Sequence, residues 1–184
     1  VTSGNSVNNI NCDQDTSSST VDFDTLVVNA STTICQDLTV ATNADDGYTV
    51  TVWQDHEMEN DSGSYINSFD NTPNGTGSTT AHVWTVPRNE LDQNFTYGHM
   101  GVTSNDTDLG STYANQDYYN SGNDAQHAGL NSSDPLPIMH HDGPSDGTTQ
   151  DKGIARIGYT VEIGSLQEAG DYESTLTYVC TPQY

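Results

Sequence analysis

The clearest pattern along the chain is an alternation of period two, in short segments separated by turn residues. In YTVTVW (48–53), Tyr48, Val50 and Val52 fall on one face and Thr49, Thr51 and Trp53 on the other. QDLTVAT (36–42) precedes it, and NADDG (43–47) between the two has turn composition. Two strands joined by an Asp-Gly turn predict a β-hairpin. TVDFDTLVV (20–28), TTAHVWTV (79–86, ended by Pro87) and FTYGHMGVT (95–103) read as further strands. Near the end, IARIGYTVEIG (154–164) places Ile157, Tyr159, Val161 and Ile163 on one face. SLQEAGD (165–171) is a turn, and YESTLTYVCT (172–181) places Tyr172, Leu176, Tyr178 and Cys180 together on a core-facing side.

Residues 104–153 show little periodicity. A structureless run of that length is unusual in a compact domain, so short strands such as LPIMH (136–140) are expected inside it. No helical pattern extends over ten residues. Strands at this spacing predict an all-β chain, a jelly-roll or Ig-like β-sandwich with long polar loops. Residues 20–184 form the sandwich. Residues 1–19, VTSGNSVNNINCDQDTSSS, form a polar N-terminal arm whose apolar anchors are Val7, Ile10 and Cys12.

Composition sharpens this picture. The chain has 184 residues, with 26 acidic against 3 basic ones and a formal charge of −23. Such a surface repels nucleic acid and anionic membranes and attracts metal ions, polycations or high salt. Asp outnumbers Glu 20 to 6, which favours turns over helices. No segment is long and apolar enough to span a bilayer as a helix. The opening VTSGNS, without Met, is read as a processed, mature form.

WQDHEMEN (53–60) contains the first half of the zinc-protease signature, His56-Glu57. Its second histidine is replaced by Asn60, and the segment leaves a strand for a loop, with no helix to set the spacing. A bland strand end is the reading. HHDGPSDGTTQDKG (140–153) gathers Asp142, Asp146 and Asp151 in a Gly-rich loop that suits a hard cation such as calcium, although its spacing matches no EF-hand. Asp45-Asp46 and Asp106/Asp108 are lesser candidates; His82, His99 and His127 are scattered. No nucleophile elbow, P-loop or dinucleotide fingerprint occurs, so no catalytic residue is assigned. Asn29, Asn60, Asn74, Asn94, Asn105 and Asn131 stand in glycosylation sequons, so glycans are permitted. Trp53, Trp84, Tyr118 and Tyr119 are either core or contacts between subunits.

Three cysteines fit an oxidising compartment. A Cys12–Cys35 bridge would pin the arm to the sandwich and is the favoured pairing. Cys180 is then a buried thiol, or else the partner of one of the others, and the odd count also permits a bond between subunits.

LTVATNADDGYTVTV (38–52) and IGYTVEIGSLQEAGDYESTLTYVCTPQY (157–184) resemble secreted bacterial surface proteins of pilin-like β-sandwich type. The ending is similar to spore-coat-U-type pilins and camelysin/TasA-type matrix fibre proteins. TYGHMGVTSND (96–106) and DGPSDGTTQDKG (142–153) look like segments of uncharacterised surface proteins of uncultured bacteria. The resemblance covers about half the chain and carries no catalytic residue. It implies an extracellular or cell-surface subunit that polymerises with itself, by strand complementation or by packing of faces. In strand complementation the arm, through Val7 and Ile10, would add a strand to the open sheet edge of a neighbouring copy. The alternative is a calcium-dependent adhesin module that binds glycans.

Overall fold

The structure is a computed structural model. It describes residues 1–70, 77–109, 119–121 and 124–184. Among these residues fifteen strands follow one another. They are β1 (Ser6–Val7), β2 (Ile10–Asn11), β3 (Thr32–Thr39), β4 (Ala41–Thr42), β5 (Tyr48–Gln54), β6 (Met58–Glu59) and β7 (Tyr65–Ser68). After these come β8 (His82–Val83), β9 (Gly98–Ser104), β10 (Asn120–Ser121), β11 (Asp124–His127) and β12 (Leu136–His141). The last are β13 (Ser145–Asp146), β14 (Ile154–Ile163) and β15 (Leu176–Pro182).

Two sheets form the sandwich. One has the order β3-β14-β9-β7-β6, the other β12-β5-β15. The expected all-β sandwich is the observed fold. Period-two faces meet between the sheets. Tyr48, Val50 and Val52 of β5, and Leu136, Ile138 and Met139 of β12, pack against Ile157, Tyr159 and Val161 of β14 and Met100 and Val102 of β9. Pairing is antiparallel throughout these sheets except β7 with β9, which run parallel.

The predicted hairpin is corrected. The turn forms, with Gly47 at φ +78° and its N–H bonded to Ala44. The flanking strands nevertheless part: β3 joins β14, while β5 pairs with β12 and β15. The turn therefore carries the chain from one sheet to the other. A Cβ on Gly47 would lie 1.7 Å from the His141 carbonyl oxygen, so close approach also requires glycine here.

Two predicted strands shrink or vanish. Residues 20–28 are not a strand; Asp24 has φ +50°, which breaks the extended run, and Phe23 turns into the core while Val27 and Val28 stay exposed. Residues 79–86 keep only β8. Strands 95–103, 136–140 and 154–164 are found as β9, β12 and β14 within a few residues.

The arm is folded onto its own chain rather than loose. β1 and β2 form a small hairpin, Val7 is 1% exposed and abuts Gly158, and the Cys12–Cys35 disulfide anchors its base. The Asn8 amide donates to Thr103 Oγ1 and to the carbonyls of Ser104 and Tyr119. The next residues then run parallel along β3.

Candidate functional site

Three features carry the side chains that sequence reasoning singled out, or missed.

The first is the loop cluster around His140 and His141. His140 sits at the end of β12, with Nδ1 3.1 Å from Thr49 Oγ1 and Nε2 2.9 Å from Asp142 Oδ1. His141 Nδ1 lies 2.8 Å from Asp108 Oδ2. Buried Asp106 accepts the backbone N–H of His140 and of Asp108. Burial, with the charges of Asp151 and Asp108 beside it, pushes the Asp106 carboxyl up to about 7 despite those two donors. The buried Tyr48 hydroxyl has no hydrogen-bond partner among the described residues, and burial raises its pKa further from neutrality. The three aspartates of the expected calcium loop are not brought together. Asp142 serves His140, Asp146 caps Thr148 within its own turn, and Asp151 accepts from Thr107 and Gln150. Among the described residues, no group of three or more His, Cys, Asp or Glu could hold a metal ion. This cluster pins loops to the sandwich.

The second feature was not legible as a cluster in the sequence. His99, His127, Phe69 and Trp84 converge on the outer side of the large sheet. The Phe69 and Trp84 rings stack at 4.8 Å, and both histidines meet Trp84 edge-on at 4.6 and 4.8 Å. The Trp84 indole N–H donates to the buried Glu162 carboxylate at 2.8 Å, and His127 Nε2 lies 3.0 Å from Thr160 Oγ1. Gly101 makes room, because a Cβ there would touch His127, Trp84 and Phe69. Burial lowers His99 and His127 to about 4, so both are neutral at pH 7. His99 Nε2 and His127 Nδ1 have no hydrogen-bond partner among the described residues. Cross-strand neighbours Glu162 and His99 supplied a signal, but only once the β9–β14 register was known.

The His56-Glu57 half-motif lies at the end of β5. His56 is exposed and bonds the Glu57 carbonyl, while Asn60 is buried and its Oδ1 caps Ser62 and Ser64. Glu57 turns inward to Gln54 and Ser68, and burial pushes its carboxyl up to about 7.

The third feature is a pair of adjoining cavities, of about 720 and 480 Å³, between segment 18–28 and segment 167–178. Phe23, Met58 and Tyr172 line both.

Asn29 and Asn94 are exposed; Asn105 and Asn131 are half-buried, with side chains that accept backbone N–H groups. Buried Asn60 is unsuited to a glycan. Asn74 and Tyr118 lie outside the described residues. Tyr119 is buried, and Trp53 and Trp84 are half-buried. Cys180 corrects the expectation of a core thiol. It has the predicted parity, yet β15 outruns the core, and Cys180 is free and exposed.

The edges of the two sheets differ in how they end. At β3, the Asp13 N–H donates to Thr33 O and Thr33 N–H returns to Asp13 Oδ2; Gln14 bridges Ile34, and Thr16 Oγ1 donates to Cys35 O. At β6, Glu59 and Glu173 exchange backbone hydrogen bonds. At β12, Asp106, Ser104 and Tyr119 engage the backbone of His140, Ile138 and Pro137. The outer side of β15 receives no backbone hydrogen bond from the described residues. No protein-family model, characterised protein or solved structure matches the chain.

Proposed function

We propose that the chain is a structural subunit of an extracellular filament, pilus-like or matrix-fibre in type, built by contacts between copies rather than by catalysis. One observation carries this reading: among the described residues, β15 is an open strand edge on a sandwich whose other main edges are covered by its own side chains and loops. Soluble proteins blunt such edges because a free row of N–H and C=O groups templates pairing with another chain. Leaving one edge unguarded, while sealing three, supports a role in assembly.

The arm covers β3 of its own chain and is bridged by Cys12–Cys35, so it is not the favoured donor strand. Contact through the β15 edge and packing of faces takes its place. A disulfide suits an oxidising, extracellular setting, and no helix among the described residues is long and apolar enough to cross a membrane. The resemblance of the closing strand to fibre subunits agrees with this reading. The −23 charge would keep subunits apart laterally, so bundling depends on cations.

Electron microscopy of the native protein in calcium, then after chelator, tests the proposal. Regular filaments with a repeat matching one sandwich are expected. They should persist in chelator and lose only their lateral bundling. Dispersed monomers under both conditions would overturn it.

A further inference from the structure

We propose that two copies of the chain pair antiparallel through β15 about a two-fold axis at Tyr178, so that each three-stranded sheet continues into the other. This rests on reading β15 as an assembly edge, but not on the existence of a filament.

The register follows from which backbone groups are free. In an antiparallel ladder each residue points its N–H and C=O to the same side, and the side alternates along the strand. Gln183 exchanges hydrogen bonds with Gly47 and Asp46, and the Thr175 carbonyl accepts from Asp55. Pairing with β5 is unbroken from Leu176 to Pro182. Thr177, Val179 and Thr181 therefore bond inward to β5. Leu176, Tyr178, Cys180 and Pro182 face the open side. Pro182 lacks an N–H, and its ring stands on the free side, where an edge strand tolerates proline.

Only Leu176, Tyr178 and Cys180 thus offer both a donor and an acceptor. A two-fold axis at Tyr178 sets Tyr178 against its own copy and Leu176 against Cys180 on both sides. All three residues then pair fully, and Pro182 lies beyond them. A two-fold axis at Val179 sets Leu176 opposite Pro182, and one at Cys180 sets Tyr178 opposite Pro182; each leaves carbonyls without donors.

A second copy is the occupant that the charge favours. Residues 174–184 carry no ionisable Asp, Glu, Lys or Arg, in a chain of charge −23. Two such anionic molecules approach with least repulsion where charge is absent. A basic partner would find no counter-charge on this strand. Among the described residues, the arm is engaged with β3, and segment 18–23, which lines a cavity with Leu176 and Tyr178, is anchored by Phe23.

The predicted register places Thr177 directly opposite Val179 of the second copy, as a pair not hydrogen-bonded to each other. Their Cα atoms would lie about 4.5 Å apart, within the usual disulfide span. Val179 would be about 7–8 Å from its own copy, and Cys180 about 13 Å from its own.

The test uses two variants of the full chain, Thr177→Cys with Cys180→Ser and Val179→Cys with Cys180→Ser, oxidised with diamide separately and as an equal mixture. Circular dichroism checks that each is folded. Covalent dimers abundant in the mixture and scarce in either variant alone are expected. Self-cross-linking of the Val179→Cys variant would place the axis at Val179 and overturn the register. Oxidation of the unaltered chain to a Cys180-linked dimer would place it at Cys180. No cross-link in the mixture would overturn pairing through β15, whether or not microscopy shows filaments.

Discussion

His99 and His127 make stability depend on pH in a direction opposite to two buried carboxyls. Both histidines sit near 4 in the fold, below the usual 6.5. The unfolded chain binds their protons first as pH falls, so their contribution is full above about 6.5 and is lost on the way to 4. The shift corresponds to about 3 kcal/mol for each histidine. Glu57 and Asp106 are raised to about 7. Their folded forms hold protons that the unfolded chain has released, so their contribution is present below the ordinary carboxylate pKa and is lost as pH rises to 7. The four groups offset one another between roughly pH 4.5 and 6.5. Denaturant midpoints of the natural chain should therefore be nearly flat there. Glu57→Gln removes one opposing group, and its stability should fall toward pH 4.5 by about 2–3 kcal/mol. A flat Glu57→Gln profile would show that the two histidines are not neutral and buried. At Cys12 the expectation is simpler. Cys12→Ser opens a bridge across 23 positions and should cost about 3 kcal/mol, read as a lowered Tm.

At the scale of elements, β15 separates two kinds of backbone position. Cys180→Pro removes an N–H that faces the open side, so the pairing with β5 should survive and Tm should move little. Assembly measured by sedimentation should nevertheless be lost. Thr181→Pro removes an N–H bonded to β5 and should destabilise the fold itself, by about 3 kcal/mol or more. Equal effects of the two variants would contradict the assigned parity. The parity of β5, β14 and β15 was legible in the sequence, because alternation is a local property that survives into any sheet. Which strands pair was not. The turn at Gly47 was readable, but the partner of each flanking strand was set by distant residues: β3 took β14, and β5 took β15. Segment 20–28 has strand-like alternation, but Asp24 at φ +50° breaks the extended run, so it stayed irregular. The His99–Trp84–His127 cluster joins β9, residue 84 and β11, and no spacing along the chain announces it. The three calcium-loop aspartates show the converse, since nearness in sequence did not bring their carboxylates together.

For the whole molecule, charge and edge work against each other. A formal charge of −23 opposes association at long range, while in the proposed assembly a strand without charged side chains would favour it on contact. Association should therefore strengthen as monovalent salt rises from about 0.01 M to 0.15 M, where the screening length shrinks from about 30 Å to 8 Å. Light scattering through that range checks this; weakening with salt would mean that ion pairs hold the copies together. In the proposed assembly, copies meet along the free side of β15. Hydrogen exchange at single-residue resolution, compared between dispersed and assembled protein, tests it most directly. Thr177, Val179 and Thr181 should be protected in both states, and Leu176, Tyr178 and Cys180 should become protected only on assembly. Assembled protein in which Leu176, Tyr178 and Cys180 still exchange as fast as in the dispersed state would contradict it.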